Sequence, residues 1–141
     1  MKGDRLPPQD HIARYCGGSQ ISEDGLIAPT AFHLRKKEFY LSVQWLESLE
    51  QPDRSSTIRE VRRVLGLSLH VRSTGRIAVL NVGEICTHVE QASGFSIRVL
   101  HEPFPDIPSH SGIHDTAQDE DLIAELIAEK VHETHPAIEQ S

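Results

Sequence analysis

Between Thr57 and Gly66 the apolar residues Ile58, Val61 and Leu65 recur at i, i+3 and i+7, the stripe of a helix with one buried face. Thr57 and Glu60 stand in capping-box relation ahead of that stripe, and Gly66 falls where a C-terminal cap belongs, so a helix is predicted over 57–65. A second is predicted over 117–133. Thr116 to Asp119 has capping-box form, and Asp119, Glu120 and Asp121 suit the positive end of a helix dipole. Leu122, Ile123, Leu126, Ile127 and Val131 would be its buried face, and Pro136 closes it.

The remaining pattern has the period of strands. Leu41, Val43 and Trp45 alternate while Trp45, Leu46 and Leu49 fall at helical spacing, which reads as a strand passing into one helical turn. Leu67–Arg72 alternates, Ser73–Gly75 can turn, and Arg76–Val82 is apolar on both parities. This predicts a hairpin whose second strand is the more central. Phe95–Leu100 is another alternating strand, Ala31–Leu34 a short one, and Gly83–His88 a short helix or a bent strand. Short strands interspersed with two principal helices fit an α+β fold with a small, mainly antiparallel sheet.

At 141 residues the chain has the length of one domain, 1–141, with 1–10 and 136–141 expected to be extended or frayed. A hydrophobic share of 38% and a charged share of 25% are those of a globular chain. No apolar run approaches the roughly 20 residues of a membrane helix. Nor does an apolar segment follow the charged first residues, so no secretory signal is read and a cytoplasmic location is expected. Cys16 and Cys86 are the cysteines, and neither lies in a CxxC pair, so reduced thiols are expected and a cysteine-rich zinc site is not.

The formal charge of −7 is unevenly spread. Six arginines stand against Glu60 alone between Arg54 and Arg76, whereas ten acids stand against Lys130 alone from Glu102 to the end. Such polarity points to an acidic partner or nucleic acid, or to two segments that face each other within one fold.

Three stretches carry a resemblance. Ala31-Phe32, Leu41-Ser-Val-Gln-Trp-Leu-Glu47 and Ser109-His-Ser-Gly-Ile113 resemble the pattern of a group of small uncharacterised bacterial proteins, which also has an Arg-Tyr-Cys-like opening. The resemblance runs over most of the chain. It implies a bacterial single-domain protein and no reaction type.

The densest candidate chemistry is Ser109-His-Ser-Gly-Ile-His-Asp115. Gly112 and Pro108 argue that it is a loop, delivered in a fixed direction by the stiff segment His101–Pro108, which has three prolines in six residues. His110, His114 and Asp115 could hold a divalent metal, with Cys16 or His101 arriving from elsewhere; no other cofactor is suggested. Alternatively His110 and His114 could act as acid and base on a phosphodiester. His11 would be nearby, Arg14 would bind the anion, and Glu47 or Asp115 would give support. The plainer alternative is that one histidine caps or packs against a helix start while the other is solvated. For Arg14 it is an ion pair with a carboxylate such as Glu47 or Glu84, and for Cys16 a place in the core.

Arg59, Arg62 and Arg63 share the solvent side of the first helix. With His70, Arg72 and Arg76 they form a candidate face for nucleic acid or a partner. No aromatic residue interleaves that face, and the global charge is negative. The leading expectation is therefore a small bacterial cytosolic interaction or regulatory subunit that meets another protein chain through charged faces. A hydrolase using His110 and His114 is the alternative, and nucleic-acid binding through the arginine helix a third.

Overall fold

The computed structural model describes residues 2–139. Six strands form one antiparallel sheet: β1 (His11–Cys16), β2 (Leu41–Trp45), β3 (Arg76–Asn81), β4 (Arg98–His101), β5 (His110–His114) and β6 (Glu133–Pro136). Their order across the sheet is β4-β5-β2-β1-β3-β6. The helices are α1 (Arg54–Ser68), α2 (Val82–Ser93) and α3 (Glu120–Ala128). The fold is α+β, as the patterning predicts.

Alternation along the central strands sends residues to two cores. Ile12 and Cys16 of β1, Ala78 and Leu80 of β3, Leu41 and Val43 of β2 and Ile113 of β5 pack beneath α2 and α3. Ala13, Ile77 and Val79 face the other way, onto Ile58, Val61 and Leu65 of α1. Apolarity on both parities of β3 thus has a direct cause: helices cover both of its faces.

Several expectations are corrected. The first helix is longer than 57–65 because its N-cap is Asp53, whose carboxylate accepts the Ser56 N–H at 2.8 Å. Gly66 is not a cap but lies inside the helix, which runs on to Ser68. This consumes the start of the anticipated strand 67–72. The two neighbours that a central β3 requires are β1 and β6. β6 in turn begins at Glu133, the last residue assigned to helix 117–133, and that helix stops at Ala128. It starts at Glu120, with Asp119 rather than Thr116 as its cap. Ala31–Leu34 is not a strand, since Pro29–Phe32 forms a 3-10 turn, and the segment from Gly83 is fully helical in α2. Within the first ten residues, expected to be extended or frayed, the Leu6 N–H donates to Val99 O and the Leu6 side chain is buried.

Ser109–Asp115 is the largest difference. Its His110–His114 is strand β5, paired with β2 through Leu41↔Ile113 to Gln44↔His110 and with β4 on its other edge. Gly112 serves not as a turn but as a gap in the side-chain row. A Cβ placed there would lie 2.1 Å from the ring of Tyr40, which rests on the bare backbone.

Candidate functional site

α1 covers only part of its side of the sheet. Beyond it, Gln44 on β2 and His110, Gly112 and His114 on β5 face the same way, and aromatic side chains lie over them. Tyr40 stacks on His114 with centroids 4.7 Å apart and stands 5.8 Å from the His110 ring. Phe104, from the proline-rich turn, stacks on His110 at 4.1 Å. The sequence thus brings His110 and His114 together, but across Tyr40 rather than in contact.

Glu102 ties the pair from below. His114 Nε2 lies 2.8 Å from Glu102 Oε2, and His110 Nδ1 lies 2.8 Å from the Glu102 carbonyl oxygen. A carbonyl can only accept, so Nδ1 carries the proton and Nε2 the lone pair of His110. Burial pushes the His110 pKa below its ordinary 6.5, although the Glu102 carbonyl and the charges of Glu102 and Glu38 oppose that shift.

Between this aromatic patch and the C-terminal end of α1 runs a cleft of about 430 Å³. Gln44 and His110 reach it from the sheet, Leu65 and Leu69 line it from α1, and Phe39, Tyr40 and Phe104 border it. Arg35, Lys36 and Lys37 give it a cationic rim. Phe39 is 92% exposed and Phe104 44%. A larger groove of about 660 Å³ lies between Arg5–Pro8, α2 and Ser96–Val99, and neither His110 nor His114 lines it.

Arg14 takes no part in the cleft as an anion ligand. It is 1% exposed, and its guanidinium is saturated. Nε donates to Ala31 O at 2.7 Å, Nη1 to Ser42 O and Glu38 Oε2, and Nη2 to His33 O and Glu38 Oε1. The carboxylate partner is Glu38, not Glu47 or Glu84. The pair fills a split in the sheet. Ladder pairing of β1 with β2 runs over Ile12↔Trp45 and Ala13↔Gln44, and the Ser42 N–H and C=O then meet Glu38 and Arg14 instead of β1.

The chain matches no family model, no curated protein and no solved structure.

The other candidates are dispersed. Glu47 accepts from the His11 backbone N–H and pairs with its Nδ1, both at 2.7 Å, and the His11 ring stands beside His132 rather than His110. Asp115 forms a two-point pair with Arg98 at 2.6 and 3.2 Å. Among the described residues no group of three or more His, Cys, Asp or Glu side chains is placed to hold a metal ion. Cys16 is a core residue whose thiol burial pushes up to about 11, against the lowering effect of Arg14 and Arg35. His101 Nε2 is held by Pro108 O.

The arginines of α1 each have a partner within the molecule. Arg62 donates to Pro136 O at 3.0 Å, Arg63 pairs with Glu60, and Arg59 lies 3.8 Å from Glu139. Arg54 lies 3.6 Å from Glu133, and Arg76 reaches Thr134. The basic and acidic halves of the sequence therefore meet within the molecule. Arg72 donates its backbone N–H to Tyr15 Oη, and its side chain is exposed.

Tyr40, Glu102, Phe104 and the Arg35–Phe39 loop are the site residues that sequence reasoning passes over. Two signals were present: a glycine midway between two histidines, and a phenylalanine directly after a run of charge.

Proposed function

We propose that the protein is an interaction domain, a subunit that recognises a segment of another protein chain in the cleft between α1 and the Tyr40–Phe104 patch. The observation that carries this reading is the exposure of Phe39 and Phe104 at the edge of a preformed concave surface. Exposed aromatic residues beside a groove are the usual anchors of protein recognition, and leaving them in water in the free molecule is costly. The reading moves the contact surface away from α1, where Arg54, Arg59 and Arg62 are engaged with the C-terminal segment and Arg63 with Glu60. It assigns His110 and His114 a supporting role: they are the platform on which Phe104 and Tyr40 rest.

Among the described residues no helix is long and apolar enough to cross a membrane. A partner chain rather than a lipid bilayer suits a cleft of this size with a polar floor.

The test is selection of peptides from a random library on the full chain. Peptides are expected to be recovered that bind the wild type and lose at least about tenfold in affinity on the Phe39→Ser/Phe104→Ser variant, the range of a typical anchor residue. Recovery of no peptide, or of peptides indifferent to both substitutions, would overturn the reading.

A further inference from the structure

The charge around the cleft is unbalanced. Two guanidinium groups, Arg14 and Arg35, stand near the single carboxylate of Glu38, which bonds the Arg14 guanidinium but only the backbone N–H of Arg35, and that carboxylate is fully used. It accepts from Arg14 Nη1 and Nη2, from the Arg35 N–H at 2.7 Å and from the Ser42 N–H at 3.1 Å. Arg14 is neutralised by this arrangement and Arg35 is not. The Arg35 side chain lies over the Tyr15 ring at 5.9 Å and donates through Nη2 to Tyr15 O. Its Nε and Nη1 have no partner among the described residues.

The loop that presents Arg35 is held in an unusual shape. Lys37 has φ +74°, in the left-handed region that non-glycine residues seldom occupy. The backbone bond from Glu38 N–H to Arg35 O closes the turn around it. Lys36 and Lys37 are exposed at the bend, and Phe39 follows after Glu38. In a chain of net charge −7, three consecutive cations, separated from an exposed aromatic only by Glu38, are a local exception. Burial and the neighbouring Arg14 charge both press the Arg35 pKa downward, so the site gains from an anion that restores the balance.

We infer that the chain segment taken by the cleft is acidic: it places an aspartate or glutamate carboxylate on the guanidinium N–H groups of Arg35 that Tyr15 O leaves free, and an adjoining apolar side chain among Phe39, Leu69 and Phe104. The inference rests on the docking reading above and specifies the chemistry of the partner. An arginine edge matches the two oxygens of a carboxylate, and Lys36 and Lys37 add attraction that salt screens. The occupant is a chain segment because the apolar rim extends from the 39–40 loop to the end of α1.

The experiment takes a peptide selected on the wild-type chain, prepares its Asp→Asn or Glu→Gln counterpart, and measures both on the wild type and on Arg35→Gln. Selected peptides are expected to carry an acidic residue close to an aromatic or aliphatic one. Neutralising that acid should weaken binding about tenfold or more on the wild type and hardly at all on Arg35→Gln, and wild-type affinity should fall as salt rises. Selected peptides without an acid, or an equal loss on both proteins, would overturn the inference while the docking reading stands. Indifference to Phe39→Ser/Phe104→Ser would instead remove the docking reading itself. If Arg35→Gln loses its dispersed amide spectrum, the exposed pair Lys36→Gln/Lys37→Gln replaces it. That variant should bind the acidic peptide several-fold more weakly and its neutral counterpart unchanged, and an unchanged affinity for the acidic peptide would overturn the inference.

Discussion

Arg14 has the chemistry of an anion ligand and the surroundings of a structural one. Its five N–H groups meet five oxygens, three of them backbone carbonyls from Ala31, His33 and Ser42 that would otherwise lack partners where β1 and β2 diverge. A buried ion pair is costly to break from one side because the other charge is left behind. Arg14→Met should therefore cost about 3–5 kcal/mol in denaturant unfolding, by stranding Glu38 and these carbonyls together. A cost below about 1 kcal/mol would mean that the split in the sheet closes without the pair. Whether an arginine faces a cleft or plugs a gap depends on the distance between two strands, and no local pattern around residue 14 encodes that. Glu38 could have been suspected as a partner only from its place in a charged turn.

Among the elements, α1 shows how local rules compete. Gly66 sits at the position of a cap, yet Asp53 starts the helix earlier and the chain remains helical to Ser68. Gly66 is exposed, and a Cβ added there would meet no atom within 4 Å, so nothing in the fold needs a glycine at this position. Gly66→Ala should raise stability by about 0.5–1 kcal/mol, seen as a higher unfolding midpoint at unchanged cooperativity. Destabilisation would show instead that this last turn is not helical in solution. β5 makes the complementary point. Its histidines, serine and glycine have poor strand propensity, and the segment reads as a loop. Pairing with both β2 and β4 outweighs that preference, because each backbone group in the middle of a sheet needs a partner. The start of β6 at Glu133, the last residue of the predicted helix, has the same origin, an open edge of β3 that the C-terminal segment covers.

For the whole molecule, two buried groups set the response to acid in the same direction. Glu38 is held below its ordinary 4.5: burial is the largest single influence and raises it, but is outweighed by the Arg14 charge and by hydrogen bonds from Arg14, Arg35 and Ser42. His110 is depressed chiefly by burial. A group whose folded pKa lies below its unfolded value contributes stability above the unfolded value and loses it as pH falls toward the folded one. Stability due to His110 should therefore be complete above about 6.5 and decline below it, with Glu38 adding a second decline below about 4.5. Thermal midpoints followed from pH 7 to 5 should fall less steeply in His110→Gln than in the wild type. Parallel profiles would show that His110 is solvated in solution.

The chain's own patterning was enough to establish an α+β fold, the buried stripe of α1, the burial of β3 on both faces and the segregation of basic and acidic segments, because each follows from periodicity or from counting along the chain. It could not decide that the segregated charges meet each other, that Arg14 is spent inside the fold, or that His110 and His114 support Tyr40 and Phe104. Those depend on which strands become neighbours and on which half of a sheet face a helix leaves uncovered. Both are settled by packing between residues far apart in sequence, where local preference has no say.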